Sequence, residues 1–263
     1  MPTVADFCAF LRNFAPPELA ESWDNTGLLV GRSGAIVNRV LTCLTLSPDV
    51  AAEAIAENSQ LIVTHHPVLF RGAKQICDSE PEGKMLLDLI EAGIAVYSPH
   101  TSFDSAAEGI NQQLAGAFGL EQVCPLVPTI TAPEAGAGRR GQLPSPRSLG
   151  EFMETVRTAV RSDRLEYTGD LSAPVSKVGI ACGAAEGFLT TALDQGCDTF
   201  VTGEARFHKA LEARTLGLNL ILLGHFCSER PAVEQLAERL RMEFPQVVVT
   251  ASAVESNPLR LFQ

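Results

Sequence analysis

Short apolar runs rich in β-branched residues recur along this chain, and helical patterns separate them. Residues 40–46, 61–64, 94–98, 175–182, 199–202, 218–223 and 247–253 are such runs. A strand that is apolar on both sides must be covered on both sides. The alternation therefore predicts an α/β fold, with sheets buried beneath helices. The intervening helices are expected at 48–57, 84–92, 105–118, 149–161, 186–195, 206–216 and 229–243. Ser47 reads as an N-cap with Pro48 at the first helical position, and Gly93 and Gly119 read as C-terminal stops. Near the amino terminus, Phe7, Phe10, Leu11 and Phe14 share one face of a short amphipathic helix. Residues 125–148 carry Gly136, Gly138, Gly141, Pro144 and Pro146, which predict irregular structure or a crossover between domains.

A length of 263 residues allows one large domain or two modest ones. Aromatic residues make up only 6%, which favours helix-covered sheets over an aromatic-rich all-β domain. The net charge of −11 repels phosphate backbones and anionic lipid, so nucleic acid and membrane surfaces are disfavoured partners. The seven cysteines are odd in number and contain no C-x-x-C pair, which predicts reduced thiols and a cytoplasmic protein. No apolar run reaches the roughly 18 residues that a membrane span needs.

Three apolar runs exit into clusters of metal-ligand residue types. Leu61-Ile62-Val63-Thr64 leads to His65-His66-Pro67, and Ala95-Val96-Tyr97-Ser98-Pro99 leads to His100 and Asp104. Leu220-Ile221-Leu222-Leu223-Gly224 leads to His225 and Glu229. Four of the five histidines lie at these exits. Ligands of open α/β sheets bind where strands end and loops converge, and imidazole and carboxylate suit first-row divalent ions. His225 and Glu229 are four apart, so one helical turn brings them to one face, and His100 and Asp104 share that spacing. Adjacent His65 and His66 point differently from an extended backbone and can serve two separate ions. His100 reads as a ligand or as a partner that orients Asp104.

Other segments are less distinctive. Gly183-Ala184-Ala185-Glu186-Gly187 reads as a plain strand–helix turn before it reads as an anion cradle. Glu204, Arg206 and His208 line a pocket or form a solvated helix start. Trp23, the only tryptophan, is expected to pack in the core, with Asp24 and Asn25 capping a turn. Cys227, between His225 and Glu229, ranks low as a nucleophile.

Taken together, five segments resemble a known family. They are Glu21-Ser22-Trp23-Asp24-Asn25-Thr26-Gly27-Leu28, Thr64-His65-His66-Pro67, Ser98-Pro99-His100-Thr101-Ser102-Phe103-Asp104, Thr202-Gly203-Glu204-Ala205-Arg206-Phe207-His208 and Gly224-His225-Phe226-Cys227-Ser228-Glu229. The chain resembles the GTP cyclohydrolase I type 2 homologues, also called NIF three-like dinuclear metal proteins, in the short form without the extra inserted domain. The resemblance implies two α/β domains, the second inserted into the first: residues 1–125 with 225–263, and residues 126–224. It implies a metal site at the carboxyl ends of strands in the cleft between them. It also implies two divalent ions per chain, from among zinc, iron, manganese, cobalt and nickel. The implied ligands are His65, His66, Asp104, His225 and Glu229, with Glu229 bridging and His100 near the site. The implied assembly is a toroidal homohexamer. The sequence departs from the family at Thr45, where an aspartate is usual, and at Glu204, where Gly-Asp is frequent.

Two ions held close together polarise an electrophilic oxygen and make water nucleophilic at neutral pH. The expected function is metal-dependent hydrolysis of a nucleotide or similar small molecule, with His100 or Glu204 in proton transfer. The alternatives are a non-catalytic metal-binding or metal-delivery protein, and a ring-shaped scaffold.

Overall fold

The computed structural model describes residues 1–130, 132–260 and 262. The chain divides into two compact units, Met1–Phe103 with Ala232–Gln263, and Asp104–Pro231. Both are α/β, as the alternation of apolar runs predicts.

The first unit is built on a five-stranded sheet in the order Gly27–Val30, Ala95–Ser98, Leu61–His66, Arg39–Thr45, Val248–Ala251. Four strands are parallel, and Gly27–Val30 runs antiparallel at one edge. Helices Pro48–Ala56 and Pro81–Glu91 cover one face, where Leu41, Ile62, Val96, Leu86 and Leu89 are buried together. The first helix begins where the capping residues place it, with Ser47 Oγ accepting from Val50 N–H and Pro48 in the first turn. Helix Val4–Phe14 buries Phe7 and Leu11, and Phe7 stacks on Phe244 at 3.9 Å between ring centroids. The apolar face read from the sequence is therefore the packed one.

The second unit carries a six-stranded mixed sheet in the order Glu121–Cys124, Arg139–Ser148, Pro174–Ala181, Thr199–Thr202, Asn219–Leu222, Glu166–Thr168. Pro174–Ala181, Thr199–Thr202 and Asn219–Leu222 run parallel, and the others pair antiparallel. Phe200, Leu189 and Leu220 centre its core.

Two expectations need correction. The stretch 125–148 is not irregular: it holds the short pair Val127–Pro128 and Gly136–Ala137, then the ten-residue strand Arg139–Ser148. Pairing with Pro174–Ala181 is regular from Arg139 to Gln142 and resumes at Arg147, with a register shift between. Pro144 and Pro146 fall inside that bulge, where a missing N–H breaks no ladder bond. The helix expected over 105–118 covers only Ile110–Ala117, and a separate short helix, His100–Ser105, precedes it after a break. Side chains take carbonyls freed by the break. Asn111 Nδ2 donates to Asp104 O at 3.1 Å, and Arg139 Nη2 donates to Ala106 O at 2.7 Å. Arg139 is 0% exposed, and its guanidinium also donates to the Gly136 and Gly138 carbonyls and to Gln112 Oε1. Burial pulls its pKa down to about 10, which still leaves a cation at neutral pH. Among the described residues, no helix is long and apolar enough to cross a membrane.

Candidate metal centre

In the first unit, the strand Leu61–His66 delivers His65 and His66 at its carboxyl end. His65 is buried, and its backbone carbonyl accepts from Ser98 Oγ at 2.6 Å. Thr45 is the parallel-strand partner of His66, and its Oγ1 lies 2.7 Å from His66 Nδ1. Thr45 thus keeps a polar contact with this imidazole. Next along the sheet, Ala95–Ser98 ends just before His100, whose φ of 33° is rare for a residue with a side chain.

His100 Nδ1 lies 2.6 Å from Asp24 Oδ1, and the Asp24 side chain is fully buried. The other Asp24 oxygen accepts from Thr101 N–H at 3.1 Å and from the Thr101 hydroxyl. Burial pushes the Asp24 carboxyl up, but the hydrogen bonds from His100 and Thr101 outweigh it and hold the group below its ordinary value. Ring centroids are 5.1 Å apart for His65–His66, 5.3 Å for His65–His100 and 5.9 Å for His66–His100. The three residues offer ligand atoms that all lie within 4.8 Å of one another.

In the second unit, Asp104 Oδ1 accepts from the Cys182 thiol at 3.2 Å. Asn111 ties the same two segments, since its Oδ1 accepts from Cys182 N–H at 2.8 Å while its Nδ2 holds Asp104 O. Burial, then the charges of Asp104 and Glu229, push the Cys182 thiol well up, so it is neutral and can donate. Glu229 is buried, and its Oε2 lies 3.2 Å from His225 Nε2 across one helical turn. Glu204 Oε2 lies 3.6 Å from His225 Nδ1. The hydrogen bond to Glu229, opposed by burial and helped by the charges of Glu229 and Glu204, raises His225 to about 9.

Gly183 makes room for Glu229, and Gly203 makes room for the Gly183 carbonyl and Ser228. Gly183 has φ 66°, and a Cβ there would stand 2.4 Å from Glu229 Oε1. A Cβ on Gly203 would stand 2.6 Å from Gly183 O and 2.7 Å from Ser228 Oγ. Gly183 N–H donates to Ser228 Oγ at 3.0 Å, and Ser228 Oγ donates to His225 O at 2.7 Å. The 183–187 segment is thus a tight turn braced on the helix that starts at His225, in line with the plainer reading.

His65, His66 and His100 come together in one unit, and Asp104, His225, Glu229 and Glu204 belong to the other. His208 is exposed beside Phe207, and Arg206 pairs with Glu186 at 2.5 Å, so the helix-start reading fits both. Three partners escaped sequence reasoning. Asp24 was expected only to cap a turn, which it does by accepting from Asn25 N–H at 2.7 Å, and it holds His100 as well. Thr45 and Cys182 carried no local signal for their contacts. Trp23 does not pack in the core, being 58% exposed. Imidazoles with ligand atoms this close, and a buried glutamate next to a histidine, suit a divalent cation.

The model of the family described as Duf34/NIF3 (NGG1p interacting factor 3) matches residues 2–258. A Clostridium acetobutylicum protein named GTP cyclohydrolase 1 type 2 homolog is 33% identical over 238 residues, covering 90% of this chain and 89% of that protein. A Schizosaccharomyces pombe protein named Protein NIF3 homolog is 34% identical over 259 residues, covering 92% of each. The crystal structure of a Staphylococcus aureus hypothetical protein superposes with a TM-score of 0.91 at 25% identity, over 99% of both chains. A Bacillus cereus protein related to NIF3 has the same fold, with a TM-score of 0.90 at 23% identity over 99% of both chains. Fold, motif order and a family match over nearly the whole length agree, and the chain belongs to the Duf34/NIF3 family.

Proposed function

We propose that this protein binds two divalent metal ions through His65, His66, Asp104, His225 and Glu229, and hydrolyses a nucleotide or similar small molecule. The observation that carries this reading is the imidazole cluster at the sheet's carboxyl edge, with ligand atoms of His65, His66 and His100 within 4.8 Å. Relatives named GTP cyclohydrolase 1 type 2 homolog support a nucleotide as the substrate class. The charge of −11 supports a small molecule over nucleic acid. The resemblance also supports a toroidal homohexamer as the assembly.

When bound, divalent ions polarise the electrophile and lower the pKa of water. The chain's own residues do the rest. Thr45 fixes the His66 ring through Nδ1, and Cys182 steadies Asp104. A carboxylate only accepts, so Asp24 fixes His100 with its proton on Nδ1. Nε2 of His100 is then the atom that takes up and returns a proton. Glu204, next to His225, is a second proton carrier.

The test pairs elemental analysis of protein purified without added metal with the variant Glu229→Ala and a nucleotide panel. Wild type should carry about two ions per chain after loading, and the variant clearly fewer, with loss of turnover. Wild type well below one ion per chain after loading overturns the metal site. Full loading with no turnover, and with metal passed on to an acceptor, replaces hydrolysis by metal delivery.

A further inference from the structure

Trp23 and Phe70 are 58% and 47% exposed, although both belong to large apolar residue types that folding normally buries. They are not loose. Their rings meet edge to face with centroids 5.8 Å apart, and each also meets the His100 ring at 6.1 Å. The two segments are fastened from beneath. Asn25 Nδ2 donates to Leu69 O at 2.9 Å, joining the residue after Asp24 to the residue before Phe70. Leu69 is held at φ 56° and His100 at φ 33°, in the left-handed region that residues with side chains seldom adopt. Asp24, immediately after Trp23, is fully buried and fixed to His100 and Thr101. Part-buried hydrogen bonds and two strained residues therefore hold an aromatic pair outward, and strain of this kind gathers at ligand clamps.

We infer that Trp23 and Phe70 form a stacking platform for a planar heteroaromatic ring, set so that the ring's edge meets His100. The occupant follows from the position. The platform is continuous with the imidazole cluster through His100, whose ring is 5.3 Å from that of His65 and 5.9 Å from that of His66. A ring lying on the indole face would bring its attached groups toward those imidazoles. Stacking on an aromatic face accepts any flat heterocycle, while the His100–Asp24 pair at the edge favours one with a donor or acceptor there. The inference rests on the hydrolase reading and deepens it by assigning the place that holds the substrate's ring, although binding on the platform needs no metal.

Trp23 is the only tryptophan, so its fluorescence reports on this place alone. Full-length protein, metal-loaded and metal-stripped, would be titrated with guanosine, adenosine, cytidine and ribose 5-phosphate. The expected result is saturable quenching by at least one nucleoside, in both metal states, and none by ribose 5-phosphate. Phe70→Ala should weaken that binding by about tenfold, on the order of one stacking contact, with metal content unchanged. In equilibrium dialysis, Trp23→Phe should retain more binding than Trp23→Ala. Absence of quenching by every nucleoside, with metal content intact, overturns the platform and leaves the metal reading standing. Failure of the protein to hold metal, with quenching intact, removes the metal reading and keeps the platform. Trp23 fluorescence shielded from acrylamide in the free protein shows that another copy of the chain covers the pair, and also overturns the inference.

Discussion

His100 Nδ1 and Asp24 Oδ1 lie 2.6 Å apart across 76 residues of sequence. The contact joins the loop before the first strand to the exit of the Ala95–Ser98 strand, beside His65 and His66. It fixes the tautomer of one imidazole and buries one carboxylate, so orientation and charge are decided together.

Asp24→Asn should leave the fold intact but destabilise it by about 1–3 kcal/mol at neutral pH, the range for a buried hydrogen-bonded charge. The sign of the pH dependence follows from the lowered Asp24 pKa. A group held below its ordinary 3.8 in the fold contributes stability above that value and loses it as pH falls further. Urea unfolding at pH 7 and pH 3 checks this: the gap between wild type and variant should shrink at the lower pH. An unchanged gap would show that Asp24 acts through shape alone.

Gly183→Ala should displace Glu229. The new methyl would stand 2.4 Å from Oε1, at a φ of 66° that costs a side chain about 1 kcal/mol. Metal content per chain should fall while melting temperature drops by only a few degrees. Gly203→Ala should cost more stability, because its methyl meets the Gly183 carbonyl at 2.6 Å and backbone yields less readily than a carboxylate tip. Equal metal content in wild type and Gly183→Ala would contradict the packing of Glu229 against this glycine.

Arg139→Met should be among the most damaging substitutions in the second unit. It removes a fully buried guanidinium and strands the carbonyls of Ala106, Gly136 and Gly138. Unsatisfied buried acceptors cost about 1–3 kcal/mol each, so a total loss of about 3 kcal/mol or more is expected. Denaturant unfolding measures it, and a loss under about 1 kcal/mol would mean that water replaces the guanidinium.

Alkali should destabilise both units. Burial pushes the Tyr97 hydroxyl up to about 12 in the first unit and the Cys197 thiol up to about 11 in the second. Groups raised in the fold hold their protons more tightly there than in the unfolded chain. Their stability contribution is full below the ordinary values of 9.0 and 10.0 and is lost above them. Thermal unfolding between pH 8 and pH 11 should show a falling midpoint, and Cys197→Ala should flatten its lower part. Cys197 should also react slowly with iodoacetamide at pH 8, since the thiolate is the nucleophile.

The α/β class, most strands and helices, and the clustering of His65, His66, His100, His225 and Glu229 at strand exits were legible in the sequence. Each rests on local rules: apolar periodicity, the opposite orientation of adjacent strand residues, and the i, i+4 spacing of one helical turn. The strand Arg139–Ser148 was hidden because its prolines read as breakers, and only its pairing with Pro174–Ala181 shows that they occupy a bulge. Tertiary structure alone decided that Asp24 holds His100, that Thr45 faces His66, that Cys182 meets Asp104 and that Trp23 stays outside. These contacts depend on sheet register and on where separate loops close, and a sequence window a few residues wide contains neither. Local chemistry therefore named the candidate ligands, while the long-range fold chose the neighbours that orient them.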